Sequence, residues 1–243
     1  MEAIRTENLT KKYKNITAVD NLNLTIEEGE LFSLLGVNGA GKSTTIKMLS
    51  CLTEPTEGTA YVKGISISSD KAEVKKIIST SPQETAIAPG LSVFENLELI
   101  AGVHGFDKAK RAKKIAEISE ALGLTEIAKR KAGKLSGGWQ RRLSIGMALI
   151  SEPEILFLDE PTLGLDVIAR SELWDTIRAL KGKVTVILTT HYMEEAEALA
   201  DRIGIMKDGK LLICATAEEI KKVANADKFD QAFINIVKGG VVK

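Results

Sequence analysis

Apolar and polar residues alternate along the N-terminal part of the chain, which then changes to longer apolar runs. Residues 3–9 and 22–26 show the alternation that is typical of half-buried strands. Residues 31–35 are almost entirely apolar and predict a strand that is buried on both faces. A helix is predicted to follow from Lys42 to about Cys51.

The middle of the chain has helical spacing. From Ser92 to about Arg130 the apolar residues recur every three or four positions, which predicts a helical lobe. Alternating strands and helices follow it: strand 155–158, helix 167–180, strand 184–188, helix 193–200 and hairpin 203–213. This alternation implies a parallel sheet with right-handed crossovers, so the helical lobe is expected to be inserted between two halves of an α/β core.

The overall composition narrows the range of partners. The 243 residues include 33 Lys and Arg and 33 Asp and Glu, so the formal charge is zero. This balance argues against nucleic acid as the main partner, because such binding depends on neutralising phosphate charges. Cys51 and Cys214 have neither metal-ligand nor redox spacing, which predicts a reduced chain.

Two features of the sequence concern membranes. The N-terminal residues lack the basic and then apolar pattern of a secretory signal. No apolar stretch approaches the ~20 residues that a membrane-spanning helix needs. If the protein works at a membrane, we expect another subunit to span it.

A glycine-rich loop follows the buried strand directly. The run that starts at Gly36, Gly-Val-Asn-Gly-Ala-Gly-Lys-Ser, has the spacing of a loop whose backbone N–H groups surround the phosphates of a nucleoside triphosphate. In this pattern Lys42 reaches the β- and γ-phosphates, and the Ser43 hydroxyl binds Mg²⁺. Such a run could be a loop only, but the strand before it and the helix after it favour nucleotide binding.

Two carboxylates stand at the end of the apolar run 155–158. Ligands bind at this end of the strands in open α/β sheets. Asp159 suits the outer shell of Mg²⁺, and Glu160 suits a general base that polarises an attacking water. The alternative is a pair of solvated carboxylates, which is the weaker interpretation beside a phosphate loop.

A second helix start with phosphate-binding chemistry lies at Leu135-Ser-Gly-Gly. Ser136, Gly137 and Gly138 offer a hydroxyl and unobstructed backbone N–H groups, which suit an anion. A chain of this size has little need of two such helix starts for one nucleotide. We therefore expect a dimer in which each subunit completes the nucleotide site of the other.

Taken together, the order and spacing of these motifs resemble the ATP-binding cassette (ABC) ATPases, the nucleotide-binding subunits of membrane transporters. The resemblance covers nearly the whole chain. It implies an α/β fold with a RecA-like parallel-sheet core, an N-terminal antiparallel β subdomain and an inserted α-helical subdomain. It also implies one domain with three parts. The core with its β subdomain is residues 1–90 and 146–215, the helical subdomain is residues 91–145, and the C-terminal tail is residues 216–243.

The resemblance also implies roles for single residues. Tyr13 matches the aromatic residue that stacks on adenine, and Gln83 matches the glutamine that senses Mg²⁺ and links the core to the helical lobe. His191 matches the histidine that contacts the γ-phosphate, and Asp166 belongs to the loop that communicates across the dimer. The implied ATP-binding residues of the phosphate loop are Gly36, Asn38, Gly39, Ala40, Gly41, Lys42, Ser43 and Thr44.

The implied cofactors are ATP and Mg²⁺. By resemblance, catalysis is assigned to Glu160, His191 and Gln83, and the metal is assigned to Ser43, Gln83 and Asp159. Each role that rests on the resemblance has an ordinary alternative. Tyr13 could be a half-exposed strand aromatic, Gln83 and Asp166 could be polar loop residues, and His191 could be structural.

One position departs from the commonest form of the family. Trp139 stands where glutamine is usual, so no side-chain role is carried over from the family to this position, and we expect the indole to pack on its own helix. Arg141 and Arg142 lie one turn into the same helix. They are expected either to help hold phosphate or to be solvated.

The segment 190–202 and the apolar tail 227–237 are similar to exporter-type ATPases of the drug and polysaccharide efflux class. The implied partners are a second copy or a homologous ATPase subunit and integral membrane transporter subunits, at the cytoplasmic face of the cell membrane. The main alternative is a soluble ABC ATPase that acts on nucleic acid or ribosomes, but the sequence has no long coiled coil, zinc module or second cassette. A GTPase is less favoured, because an Asn-Lys-x-Asp motif is missing.

Overall fold

The structure is a computed structural model that describes residues 1–239, so residues 240–243 of the expected C-terminal tail lie outside the described part. Within residues 1–239 the strands β1 to β10 are Glu2–Tyr13, Ile16–Glu27, Leu31–Gly36, Glu57–Val62, Ile65–Ser66, Ile78–Ser81, Ile155–Asp159, Thr185–Thr190, Arg202–Lys207 and Lys210–Ala215. The helices α1 to α9 are Lys42–Leu49, Lys71–Ile77, Val93–Val103, Lys108–Ala121, Gly137–Leu149, Val167–Arg178, Met193–Leu199, Ala217–Val223 and Phe229–Val237.

A six-stranded sheet with the order β10-β9-β3-β8-β7-β6 forms the centre of the molecule. Its strands are parallel except for β10, which joins the edge as the antiparallel partner of β9. Both faces of the sheet are covered. Phe157 of β7 belongs to the same apolar cluster as Ile46 of α1, whereas Leu156 and Leu158 pack with Leu173 of α6. Coverage of both faces explains the continuous apolar runs of β3 and β7.

A second, antiparallel sheet with the order β2-β1-β4-β5 packs on the α1 side of the core. Ile4 and Leu9 of β1 share one apolar cluster with Ile46 of α1 and Phe32 of β3. The alternating sequences of β1 and β2 therefore turn one face towards this cluster. The predicted α/β class, with a parallel core sheet, an antiparallel sheet and helices, is confirmed.

Helices α3, α4 and α5 build a separate apolar cluster. The buried side chains of α3 and α4 in this cluster are among those that the helical spacing identifies: Val93, Leu97, Ala101 and Ile115. Helix α3 begins with a capping box, in which Ser92 and Glu95 accept hydrogen bonds from each other's backbone N–H. Within residues 1–239 no helix is long and apolar enough to cross a membrane.

The sequence pattern did not predict α2, β6, α8 and α9, and it extended three helices too far, α7 by the single residue Ala200. Strand β6 pairs only with β7 at the sheet edge, and its Ser- and Thr-rich sequence gives little hydropathy signal. Helix α1 ends at Leu49 rather than Cys51, because Cys51 has a left-handed backbone with φ +56°. Helix α6 ends at Arg178 rather than Leu180.

Candidate functional site

The loop between β3 and α1 depends on glycines at positions of close backbone approach. Gly41 has φ +104°, and a Cβ there would lie 2.4 Å from the Ala18 carbonyl oxygen. A Cβ at Gly36 would lie 2.5 Å from the Met206 carbonyl oxygen. Glycine therefore allows the chain to turn sharply into α1, whose first N–H groups suit an anion.

Lys42, the first residue of α1, is buried against this loop. Its ammonium donates to the Gly36 carbonyl oxygen at 2.7 Å and lies 3.3 Å from Glu160 Oε1. The side chains of Lys42 and Glu160 are only 5% and 8% exposed. Each charge needs the other at this depth, because a buried charge without a partner is strongly destabilising.

The ends of two neighbouring strands hold Asp159 and Glu160. Asp159 Oδ1 accepts hydrogen bonds from Ser43 Oγ at 3.0 Å and from Thr189 Oγ1 at 2.5 Å. Glu160 has a left-handed backbone with φ +50°, which is uncommon for a residue with a side chain. Its N–H donates to the carbonyl and hydroxyl oxygens of Thr189, both at 3.1 Å. Strand β8 therefore fixes the chain directly after β7.

His191, directly after β8, contacts the same glutamate. Its Nδ1 lies 2.6 Å from Glu160 Oε2, and its ring centroid lies 4.1 Å from that of Tyr192. Glu160 thus contacts Lys42 through one carboxylate oxygen and His191 through the other. This arrangement fixes the carboxylate and places an imidazole and a potential proton acceptor side by side.

These side chains surround a cleft of about 380 Å³. Most of the predicted site residues line it: Tyr13, Asn38, Gly39, Ala40, Gly41, Lys42, Ser43, Thr44, Gln83, Glu160 and His191. Gly36 and Asp159 do not line the cleft, but they contact Lys42 and Ser43, which do. Ala18 and Leu163 also line it, although no sequence motif identifies them for that role.

Ser136, Gly137, Gly138 and Asp166 lie outside this cleft. A Cβ at Gly137 would lie 3.3 Å from Leu165 Cδ2, and one at Gly138 would lie 3.1 Å from Ala169 Cβ. Asp166 caps α6 by accepting a hydrogen bond from the Ala169 N–H at 2.9 Å. The start of α5 and the loop before α6 therefore pack together as a second cluster, which we call the Ser136 cluster (residues 136–138 and 166).

Residues 19–163 match the family model for ABC transporters, and this range includes the phosphate loop, Ser136 and Glu160. The chain belongs to the ABC transporter family. This ABC chain is 40% identical over 96% of its length to the linearmycin resistance ATP-binding protein LnrL of Bacillus subtilis (strain 168), of which it covers 75%. It is 41% identical over 90% of its length to the daunorubicin/doxorubicin resistance ATP-binding protein DrrA of Streptomyces peucetius, of which it covers 67%.

Other relatives are longer than this ABC chain. It is 39% identical over 96% of its length to the probable multidrug ABC transporter ATP-binding protein YbhF of Escherichia coli (strain K12). It covers only 41% of YbhF.

Solved ABC cassettes have the same fold. The ATP-binding subunit of an ABC transporter aligns with a TM-score of 0.84 over 96% of this chain and 99% of that subunit. The two sequences are 24% identical, so this likeness concerns the fold alone. The cassette MJ0796, in a dimeric post-hydrolysis state bound to ADP and Pi, aligns with a TM-score of 0.78 at 32% identity. That alignment covers 88% of this chain and 98% of MJ0796.

Arg141 and Arg142 of α5 do not line the cleft, and each side chain has protein partners rather than being simply solvated. Arg141 is 5% exposed and donates to the carbonyl oxygens of Pro82 and Gln83, each at 2.6 Å. Arg142 pairs with Glu172 at 2.8 Å and lies 4.7 Å from the centroid of the Trp139 ring. Trp139 was expected to pack on its own helix, and it packs against the apolar cluster that α3 and α4 share with α5.

Sequence reasoning missed Thr189 and Glu195, two polar residues next to the site. The carboxyl group of Glu195, on α7, is fully buried, and its Oε1 accepts a hydrogen bond from Trp174 Nε1 at 3.2 Å. Burial raises the pKa of the Glu195 carboxyl above its ordinary value. The sequence does contain a signal for Glu195, because this acid lies on the same helix face as the buried Leu199.

Proposed function

We propose that this chain binds ATP with Mg²⁺ and hydrolyses it as the ATPase subunit of an ABC membrane transporter. The observation that carries the proposal is the contact of Glu160 with both Lys42 and His191 beside the phosphate loop. It combines a phosphate-binding cation, a proton acceptor and an imidazole at one end of one cleft. The match to the ABC transporter family supports the same function.

In this proposal the loop of residues 36–44 surrounds the phosphates of ATP. Lys42 neutralises phosphate charge, and the backbone N–H groups at the start of α1 bind phosphate oxygens. Tyr13 is 44% exposed and lines the same cleft, so its ring is available to stack on adenine.

The side chains at the cleft suit Mg²⁺, which prefers oxygen ligands. Ser43 Oγ lies 3.0 Å from Asp159 Oδ1, and Gln83 lines the cleft with Ser43. Within residues 1–239 no group of three or more His, Cys, Asp and Glu residues could hold a metal ion by itself. The other ligands would therefore be phosphate oxygens and water, and the bound ion would neutralise phosphate charge.

Glu160 is proposed to act as the general base that takes a proton from the attacking water. Its carboxylate is fixed by Lys42 and His191, and a positioned base of this kind contributes about 10²- to 10⁴-fold in rate. His191 keeps the carboxylate oriented and is 27% exposed, so its ring can also reach a ligand in the cleft.

The Ser136 cluster is proposed to bind the nucleotide held by a partner subunit, either a second copy of this chain or a homologous ATPase subunit. This assignment is supported by its separation from the cleft that contains Lys42. Val167 and Ile168 follow Asp166 directly and are 73% and 72% exposed, which gives the same surface an apolar component. Nucleotide that binds only the closed dimer would stabilise it by mass action.

The transported compound is proposed to be a drug-like molecule that is exported. LnrL and DrrA carry names that refer to linearmycin resistance and daunorubicin/doxorubicin resistance, and the chain matches both over most of its length. Integral membrane transporter subunits would form the pathway, and this chain would bind them at the cytoplasmic face of the membrane. The alternative of a soluble ABC ATPase on ribosomes or nucleic acid has less support, since the formal charge is zero.

The substitution Glu160→Gln tests the catalytic assignment. We expect phosphate release from MgATP to fall about 10²- to 10⁴-fold, because glutamine keeps the shape but accepts no proton. Binding of a fluorescent ATP analogue should be retained. In the Glu160→Gln protein Lys42 has lost its carboxylate partner, and a phosphate group of the nucleotide can take the place of that carboxylate.

Glu117→Gln is the matched control, because Glu117 is a half-exposed carboxylate on α4 outside the cleft. Hydrolysis by the Glu160→Gln protein at the wild-type rate would contradict the proposal.

The proposed role in transport is tested separately by purifying the tagged chain from detergent-solubilised membranes. A membrane-spanning partner is expected, and recovery of ribosomes or DNA instead would argue for the alternative.

A further inference from the structure

The guanidinium group of Arg141 joins helix α5 to the segment that carries Gln83. Its two terminal nitrogens donate to the carbonyl oxygens of Pro82 and Gln83, each at 2.6 Å. Three residues further along the same helix, Ser144 Oγ lies 2.9 Å from Ser81 Oγ. One face of α5 therefore holds three consecutive residues, 81–83, at the point where β6 ends.

This attachment is specific to arginine. A guanidinium group presents donors in a fixed planar fork, so it can bind two successive carbonyl oxygens at once, whereas a lysine ammonium has no such fork. Arg141 is 5% exposed, and burial lowers the pKa of its guanidinium, although the carboxylates of Asp159 and Glu195 act in the opposite direction. A buried cation that donates to two backbone carbonyls orders the segment that supplies them.

Gln83 and Ser136 are linked through this contact. Gln83 lines the nucleotide cleft, and the backbone oxygen held by Arg141 belongs to the same residue. Arg141 lies in the second turn of α5, the helix that begins directly after Ser136. Since a helix of this length behaves as a rigid element, α5 sets both the orientation of residues 136–138 and the placement of Gln83.

We propose that Arg141 is a positioning residue that places Gln83 in the nucleotide cleft and couples its position to the partner-facing start of α5. The inference rests on the proposed function, because Gln83 matters here as a residue that responds to Mg²⁺ and nucleotide. Arg141 itself contacts neither in this account and acts through the Gln83 backbone. Its loss should therefore affect the response to Mg²⁺ more than the binding of ATP by the phosphate loop.

The test uses the purified chain and the substitutions Arg141→Met and Arg141→Lys. We expect each to lower kcat, and to raise the Mg²⁺ concentration for half-maximal hydrolysis, by about 10- to 100-fold, the range found when partners of metal ligands are lost. Affinity for a fluorescent ATP analogue should change little. Arg178→Met is the control, because Arg178 is an exposed arginine on α6 that pairs with Asp175.

A double-mutant cycle with Gln83→Ala distinguishes positioning from a general structural role. If Arg141 acts through Gln83, the protein that carries both Arg141→Met and Gln83→Ala should be no slower than the one with Gln83→Ala alone. Losses that multiply, or a Gln83→Ala protein with wild-type Mg²⁺ dependence, would overturn the inference. Should Arg141→Met fail to fold in thermal unfolding, the cycle is run with Arg141→Lys, which keeps the buried charge.

The two levels of failure are separable. A wild-type chain that does not hydrolyse MgATP would overturn the proposed function together with this inference. A second outcome would overturn the role of Arg141 alone. In that outcome the wild type hydrolyses MgATP and Gln83→Ala lowers the rate as expected, but the effect of Arg141→Met is independent of Gln83→Ala.

Discussion

Glu160 combines several constraints in one residue. Its backbone is left-handed, its N–H is held by Thr189, and its carboxylate contacts Lys42 and His191 with different oxygens. A sparsely populated backbone conformation persists where the surroundings determine it fully, and such positions cluster at functional sites. The conformation is thus consistent with a carboxylate that must be held still.

Another single residue, Glu195, leads to a prediction about how the free energy of unfolding depends on pH. Burial raises its pKa above the ordinary value of 4.5, so the folded chain keeps this proton at pH values where the unfolded chain has lost it. The stability that Glu195 contributes is complete below about 4.5 and is lost as pH rises through the folded pKa. Glu195→Gln removes this titration, so the free energy of unfolding of the wild type relative to the variant should fall as pH rises above 4.5.

Urea unfolding at a series of pH values from acidic to mildly alkaline measures this difference. Glu194→Gln is the matched control, because the neighbouring Glu194 side chain is 82% exposed. Parallel stability curves for the wild type and Glu195→Gln would contradict a raised pKa at this residue.

At the scale of elements, strand ends and helix starts bring the site together. The residues directly after β7 and β8 are Glu160 and His191, and the start of α1 supplies Lys42, so two strands of the parallel sheet and one helix meet at the C-terminal edge of the sheet. This is the edge where open α/β sheets bind ligands. The start of α5 lies outside the cleft that this edge forms, so the element can serve a ligand held elsewhere.

Helix α9 provides a prediction about packing. Phe233 is 8% exposed and lies in an apolar cluster with Ile205 of β9 and Ile220 of α8, whereas the next residue, Ile234, is 38% exposed. Phe233→Ala should reduce the free energy of unfolding by about 3–5 kcal/mol, because it removes buried apolar surface and leaves a cavity.

The control for this helix is Ile234→Ala, which should cost about 1 kcal/mol or less because much of that side chain stays in water. Chemical denaturation of both proteins gives the two values. Equal losses for the two substitutions would mean that α9 does not pack with the orientation described.

In the molecule as a whole, the two groups of residues that we propose to bind phosphate are separate. Lys42 and Glu160 lie in the cleft, and the Ser136 cluster lies outside it beside the exposed Val167 and Ile168. In the proposed symmetric dimer the cluster of each subunit would meet the cleft of the other, which would give two equivalent composite sites. One subunit alone would leave both groups incomplete.

Mixing two inactive variants tests this arrangement. Lys42→Met should disable the cleft, and Ser136→Arg should disable the cluster, so each homodimer should lack activity. A mixed dimer retains one intact composite site, because the normal Lys42 and the normal Ser136 come from different subunits. An equal mixture should therefore regain about a quarter of wild-type hydrolysis if the two sites work independently.

Phosphate release from the mixture, compared with each variant alone, decides the outcome. A mixture that remains as inactive as its components would indicate that both groups of residues act within one chain. Mixing Lys42→Met with Glu160→Gln is the control and should restore no site, because Lys42 and Glu160 belong to the same cleft.

Features that depend on contiguous residues could be predicted from the amino-acid sequence alone. The phosphate loop, the acidic end of β7 and the Ser136 helix start are short runs whose local conformation and chemistry are encoded together. The order of apolar runs also predicted the parallel core and the helical part correctly. The edge strand β6 was missed, because its alternating Ser and Thr residues carry too little hydropathy signal.

Contacts between residues that are distant in the chain became apparent only from the folded structure. Glu160 contacts Lys42 and His191, Arg141 donates a hydrogen bond to the Gln83 carbonyl oxygen, and the Ser136 cluster lies outside the cleft. These contacts join residues that are far apart in the chain, and their distances follow from how sheets and helices pack. A sequence motif fixes the chemistry of a side chain, whereas packing fixes its partners and its burial.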